Sequence, residues 1–340
     1  VGTNGTVKAL DNALLSKIGL QLMFCNTYHL LLQPGTAVIR SAGGLHRFIH
    51  RNLPIITDSG GFQVFSLTYG SVADELKSRG TKKTDGTVLK ISEEGVLFRS
   101  YRDGKKVLLT PESSIQAQKD LGADIIIPFD ELPPYHITKD ALTNSLARTH
   151  RWEKRSLEEH LKNPQGQAIY AVVHGGIDLQ LRQESCRFLG GLAFDGFAIG
   201  GSLGKTKQEM IQMLSSTCPH LPSDNPLHLL GIGDLTSIDL CIPLGIDTFD
   251  SSYPTRAARH GIALTKEGPL NITKSQNAGC HLPIEKDCSC YTCQSFTLAY
   301  LHHLFKAREA TVLTLATIHN LHYMIYLMQR YRQKIFNNEI

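Results

Sequence analysis

Residues 168–199, AIYAVVHGGIDLQLRQESCRFLGGLAFDGFAI, decide the fold class. An apolar run at 168–173 stops at His174-Gly175-Gly176, a helical pattern fills 179–190, and a second apolar run occupies 195–199. Two continuously apolar strands joined by an amphipathic helix belong to a parallel sheet that is covered on both faces. The unit repeats in both directions. Strands are expected at 20–25, 53–57, 123–129, 168–173, 195–199, 227–232 and 246–249, and helices at 111–121, 138–162, 179–190, 205–215 and 234–243. Eight such strands close a (β/α)8 TIM barrel of about 250 residues. That size suits an α/β barrel domain over residues 1–275, with the eighth strand placed ahead of Val1. Residues 276–340 are expected to form a small subdomain and a closing C-terminal helix, in which Leu313, Ile318, Leu321, Met324, Ile325 and Leu327 recur at helical spacing as packing residues.

The 340 residues are 41% apolar and 19% charged, enough to build a large core and unlike a disordered chain. No apolar run approaches the roughly 18–20 residues that span a bilayer, and residues 1–20 are polar and interrupted, unlike a signal peptide. A cytoplasmic protein is expected. The net charge of +4 permits a nucleic-acid partner without requiring one. Residues 69–90 are polar and carry Lys77, Arg79, Lys82, Lys83 and Lys90, which reads as a surface excursion, either a solvated loop or an arm for phosphates.

Of the eight cysteines, three fall in Cys288-Ser-Cys290-Tyr-Thr-Cys293. Cysteines so close cannot all pair comfortably as disulfides, whereas thiolates at this spacing suit a metal. A fourth ligand is available from His319 on a helical stretch, with His322 one turn on and His281, His302 and His303 as rivals. Three thiolates and an imidazole match tetrahedral zinc, and four protein ligands make the metal structural. The plain alternative is three reduced thiols.

In barrels of this kind the chemistry sits where strands end. Asp58 follows the second run, Asp130 the third and Asp250 the last, so three acids share one rim. His174, Gly200-Gly201 and Gly231 close other strands, and glycines let a flat ligand approach backbone amides. Any one such acid is often a helix N-cap. Two carboxylates flanking a glycosidic bond can instead run displacement at a sugar carbon, one attacking C1′ and the other managing the leaving group's proton. Arg256 and Arg259, three apart after Pro254, would point one way as a phosphate clamp or form a surface ion pair. No G-x-x-x-x-G-K-[ST] loop is present, so use of a nucleoside triphosphate has no support.

Together NTYHL (26–30), DSGGFQVFSL (58–67), FDE (129–131), FDxxxPTRxAR (249–259) and CxCxxC followed by ATIHNLHY (288–323) resemble the tRNA-guanine transglycosylase family. The resemblance runs over nearly the whole chain. It implies a zinc-bearing TIM barrel, with no organic cofactor, that exchanges guanine-34 of GUN-anticodon tRNAs (Asp, Asn, His, Tyr) for a free 7-deazaguanine base in queuosine modification. By the same resemblance Asp250 matches the nucleophile that bonds to the ribose, and Asp58 the general acid/base. Asp130 and Gln63 match the groups that read the base edge, Phe62 and Val1 those that sandwich its face, and Gly200 and Gly201 those that offer backbone contacts. Asn26 matches a residue that supports the nucleophile pocket, Arg256 and Arg259 hold the RNA, and Cys288, Cys290, Cys293 and His319 bind zinc. A homodimer in which the zinc subdomain contributes to the interface is implied as well.

The chain departs from the bacterial pattern around the base. Leu132 stands where a cysteine is usual and His174 where a glutamine is usual. Lys205 lies in a loop one residue shorter than usual, where a carboxylate is expected. A lysine near an aminomethyl ammonium costs binding. These changes favour queuine over the 7-aminomethyl-7-deazaguanine precursor, with Lys205 turned to RNA. A non-catalytic tRNA-binding partner subunit is the competing class, but such subunits lose the nucleophile, whereas Asp58 and Asp250 are both present. An archaeosine-type enzyme is disfavoured because the chain carries no further C-terminal RNA-binding domain.

Overall fold

A computed structural model describes residues 1–70 and 87–340. Its main sheet has seven parallel strands in the order β1 (Met23–Cys25), β2 (Ile55–Thr57), β6 (Ile125–Ile126), β7 (Ala168–Val173), β8 (Gly196–Ile199), β9 (Leu227–Leu229) and β10 (Thr248–Phe249). All seven expected strands are present, most of them shorter than expected. In 123–129 and 227–232 the apolar run continues past the last strand residue into the loop, where apolar side chains still face the core. Phe24, Ile56, Val172 and Ala198 from four of the strands, with Ile127 just past β6, gather in one buried cluster. The sheet therefore curls into a half-barrel, consistent with a TIM-like α/β fold, with β1 and β10 as its edges among the described residues.

The opposite faces pack against helices. Pro111–Leu121, Lys139–Leu161, Leu179–Gly190, Lys207–Thr217 and Leu235–Cys241 stand close to where their periodicity places them. Each is started by a side chain that accepts a backbone N–H, from Thr110, Thr138, Asp178, Thr206 and Asp234. The Lys139–Leu161 helix also braces the strand ends. Ser156 Oγ accepts from Phe129 N at 3.1 Å, Thr149 Oγ1 from Glu131 N at 3.1 Å, and Glu153 Oε2 from Val172 N at 3.1 Å. These three side chains serve backbone donors where β6 and β7 no longer pair, beyond Ile126 and Ile169.

One expectation needs correction. Residues 88–90 are strand, not loop: β3 (Val88–Ile91), β4 (Val96–Arg99) and β5 (Lys106–Leu109) form a separate antiparallel sheet, with Lys90 exposed on β3. Phe98 and Leu109 of this sheet are buried with Tyr28, Phe129 and Trp152. Lys77, Arg79, Lys82 and Lys83 lie outside the described residues.

The C-terminal segment is one helix, Thr311–Phe336. Ile318 and Leu321 are buried in it, while Leu313, Met324, Ile325 and Leu327 are half-buried. It packs against Tyr253–Arg259, which follows β10, and against Tyr291–Ser295, which holds Cys293.

Candidate active site

Asp58 is one residue past β2, and its carboxylate is buried. Asn26 Nδ2 donates to Oδ2 at 2.5 Å, Thr27 N to Oδ1 at 2.8 Å, and Gln63 Nε2 to Oδ2 at 3.5 Å. Burial outweighs these donors and raises the Asp58 acid from 3.8 to about 6. A carboxyl group so placed changes protonation within reach of neutral pH, as a group that both gives and takes a proton must. Asn26 is thus a direct partner of Asp58. Gln63 is buried, and its Oε1 has no hydrogen-bond partner among the described residues.

Asp130 lies beside Asp58 through Ser59. Ser59 Oγ donates to Asp130 Oδ1 at 2.8 Å, and His174 Nε2 contacts Oδ2 at 2.8 Å. Gly61 must be glycine here, because a Cβ would stand 2.5 Å from the Asp130 carbonyl oxygen and 2.8 Å from Oδ1. His174 is buried at the end of β7, and its Nδ1 has no partner among the described residues. Behind them is Glu153, fully buried, whose acid is pushed well above its ordinary range by burial, with Asp130 adding to the effect.

Asp250 follows β10 and is also buried. Gly231 N donates to its Oδ1 at 2.7 Å, and His228 Nε2 lies 3.2 Å from the same oxygen. The backbone nitrogen of Val1 donates to the Ser251 carbonyl at 3.3 Å. Gly2 N donates to Phe24 O, and Asn26 N to Thr3 O, so residues 1–3 run along the end of β1. The N-cap alternative fails for all three rim acids, since none caps the helix that follows it.

Gly200 and Gly201 end β8, and Gly201 takes a left-handed φ of 78°. A residue that sequence reasoning missed holds this loop. Arg182, fully buried, donates to the carbonyls of Gly176, Val173, Gly200 and Ser202 at 2.7–3.3 Å. It ties the loops after β7 and β8 together, and burial pulls its pKa down to about 10. Phe62 presents an exposed ring, 44% accessible, and Leu132 is half-buried. Lys205 places its ammonium 4.4 Å from the Tyr135 ring, while its backbone N–H donates to Glu209 Oε2 at 2.5 Å. A carboxylate therefore does reach this short loop, from four residues on. Arg256 is exposed on the Tyr253–Arg259 helix, and Arg259 donates to Thr255 Oγ1 at 3.3 Å.

The metal candidates converge elsewhere. Cys288, Cys290, Cys293 and His319 are all buried, with their ligand atoms within 4.8 Å of one another. The sulfurs lie 3.8, 3.6 and 3.3 Å from His319 Nδ1. Tetrahedral zinc, with Zn–S of about 2.3 Å and Zn–N of about 2.0 Å, sets ligands about 3.5 Å apart. The donor set and its spacing are compatible with that ion. His319 Nε2 donates to the Leu264 carbonyl at 2.9 Å, which leaves Nδ1 as the ligand atom. His322 instead contacts Ser289 Oγ at 3.3 Å and lies outside the cluster.

The site sets two buried carboxylates, Asp58 and Asp250, and a half-buried one, Asp130, just beyond the strands of an α/β half-barrel, the layout of a barrel enzyme. Comparison with known proteins specifies the family. The model for queuine tRNA-ribosyltransferase matches residues 1–340. A queuine tRNA-ribosyltransferase of Protochlamydia amoebophila (strain UWE25) is 75% identical over 335 residues, 98% of this chain and 87% of the relative. Those of Chlamydia caviae and Chlamydia trachomatis serovar D are 54% and 53% identical over 341 residues, covering 100% of this chain and 91% of each relative. The chain belongs to the queuine tRNA-ribosyltransferase family, the tRNA-guanine transglycosylases, and is a pentosyltransferase of queuosine tRNA modification.

Proposed function

We propose that the enzyme exchanges guanine-34 of GUN-anticodon tRNAs for queuine through a covalent bond between Asp250 and the ribose. The observation that carries this reading is the contrast between two buried acids on one rim. Asp58 is held at about 6 by burial, while among the described residues the donors to Asp250 converge on Oδ1. In the first half-reaction Asp250 Oδ2 gives an electron pair to C1′ as the C1′–N9 bond breaks. The C1′–N9 bonding pair leaves on guanine, which takes a proton from the Asp58 acid. In the second, the incoming base loses its N9 proton to the Asp58 carboxylate and displaces Asp250. The ester conserves the glycosidic bond, so no nucleoside triphosphate is consumed.

Asp130, Gln63, His174 and the backbone of Gly200 and Gly201 read the edge of the base, and Phe62 and Val1 cover its faces. Anticodon bases are single-stranded and cost little to splay out. Arg256, Arg259 and Lys205 serve the RNA backbone. The Cys288, Cys290, Cys293 and His319 site holds one structural zinc per chain. Residues 1–275 act as the barrel domain and 276–340 as the zinc-binding subdomain. On that subdomain Phe296 stacks on Tyr300 and Tyr300 on His303, with Tyr300 exposed, which supports a homodimer through this face. No helix among the described residues is long and apolar enough to cross a membrane. The cytoplasm, where tRNA is processed, is the proposed site of action.

Two expected results test this reading. Labelled guanine should enter the tRNA and be chased better by queuine than by the 7-aminomethyl base. Equal or better use of the aminomethyl base would reject queuine, and Glu209 at the Lys205 loop is the carboxylate that would then account for it. The half-reactions should also respond oppositely to pH. Guanine departure needs protonated Asp58 and should slow as pH rises through about 6, whereas base uptake needs the carboxylate and should speed up. Single-turnover rates measured across this range should lose both trends in Asp58→Asn.

A further inference from the structure

The buried imidazole of His228 has no part in the roles set out so far. It projects from β9 onto the rim acid of the neighbouring strand. The register pairs His228 with Thr248 across β9 and β10. Thr248 and Asp250 are two residues apart, so both face the side on which the imidazole lies. His228 Nδ1 is 2.9 Å from Thr248 Oγ1, and Nε2 is 3.2 Å from Asp250 Oδ1. A carboxylate only accepts, so Nε2 carries the proton and Nδ1 accepts from the Thr248 hydroxyl. Phe24 of β1 stacks on the ring at 5.9 Å and 10°. The imidazole is wholly buried and fixed at both nitrogens and on one face.

The consequence is an asymmetric carboxylate. Oδ1 takes two donors, His228 Nε2–H and Gly231 N–H, the latter aimed by a left-handed Gly231 at φ 71°. No hydrogen bond to Oδ2 is present among the described residues. We infer that His228 is a positioning residue that selects Oδ2 of Asp250 as the attacking atom and stabilises Oδ1 when Asp250 leaves. This inference rests on the nucleophile reading of Asp250. In the ester, Oδ1 is the carbonyl oxygen. When the C1′–Oδ2 bond breaks, its electron pair returns to the carboxylate, and charge grows on Oδ1 where two fixed donors wait. Donors on Oδ1 therefore assist departure more than attack. Loss of one should leave the covalent tRNA–enzyme adduct stranded.

The test uses the full chain with labelled tRNA and free queuine, comparing wild type with His228→Phe and His228→Gln. Phenylalanine keeps the ring stacked on Phe24 but donates nothing, while glutamine supplies an amide donor. His228→Phe is expected to lower kcat about ten- to a hundredfold, the range of one hydrogen bond to a charged group. The KM for the base should stay unchanged, and the adduct seen on a denaturing gel should increase. His228→Gln should restore much of the rate. Wild-type kcat and adduct in both variants overturns the inference, as does a parallel loss of kcat and KM without adduct, which marks a merely structural residue. Absence of any adduct from active wild type rejects the nucleophile reading itself, so the two failures are distinct.

Discussion

Asp250→Asn is expected to lower base exchange by at least about a thousandfold while leaving the fold intact. The argument is local. An asparagine keeps an oxygen at the position of Oδ1 and can accept from Gly231 N and His228 Nε2, which donate at 2.7 and 3.2 Å. It replaces Oδ2 with an amide nitrogen that has no lone pair to offer C1′. The variant therefore removes the proposed nucleophile and little else. Asp250→Ala is a poorer choice, because it strands two buried donors and adds about 1–3 kcal/mol of destabilisation for each. The expected signature is unchanged thermal unfolding, tRNA affinity close to wild type, no covalent adduct and no incorporation of labelled guanine. Exchange within tenfold of wild type would remove Asp250 from the chemistry. Asp58→Asn offers the contrast: it should slow both half-reactions, yet a trace of adduct should form, since Oδ2 of Asp250 is still present.

The sequence discloses this site unevenly, for physical reasons. The seven parallel strands are legible because each is covered on both faces and so reads as a continuous apolar run. Val88–Ile91, Val96–Arg99 and Lys106–Leu109 escape notice because they are four-residue strands of a partly exposed antiparallel sheet, each mixing apolar residues with a lysine or arginine. Asp58, Asp130 and Asp250 stand out as acids just beyond apolar runs. Their partners do not. His228 sits inside the run 227–232, Arg182 inside an amphipathic helix and Ser59 beside a glycine pair, and nothing in their spacing points to the carboxylates or carbonyls they touch. The signal that was available is a polar residue in an otherwise apolar strand. His228 is one, and such a residue must find a partner when buried. The choice between His319 and His322 is decided by which imidazole has its second nitrogen anchored, and that needs Leu264, 55 residues away.

Removing the zinc that the Cys288, Cys290, Cys293 and His319 cluster is proposed to hold is expected to cost far more than the local contacts around it. Apparent binding energies of structural zinc reach about 10–16 kcal/mol in small domains, comparable with the whole stability of a folded domain, about 5–15 kcal/mol. The consequences should reach the catalytic rim through one helix. His319 and Asn320 are adjacent on Thr311–Phe336. His319 Nε2 holds the Leu264 carbonyl, and Asn320 Oδ1 accepts from Leu264 N at 2.9 Å. Asn320 Nδ2 donates to the Ile262 carbonyl at 2.8 Å and to that of Pro254 at 3.0 Å. Pro254 opens the helix of Arg256 and Arg259, four residues after Asp250. Three thiolates without a cation repel one another in a buried site, so the turn that carries them should open and release the helix from Leu264 and Pro254. Cys293→Ser is expected to bind less metal, to unfold at a lower temperature and to lose exchange activity, with amide exchange rising at 254–264 before the strands of the half-barrel are affected. Hydrogen exchange read by mass spectrometry separates this from general unfolding. Faster exchange over 168–199 to the same extent would mean that the whole barrel fails together. Unchanged exchange at 254–264 in metal-free protein would mean that the cluster does not brace the Asp250 segment.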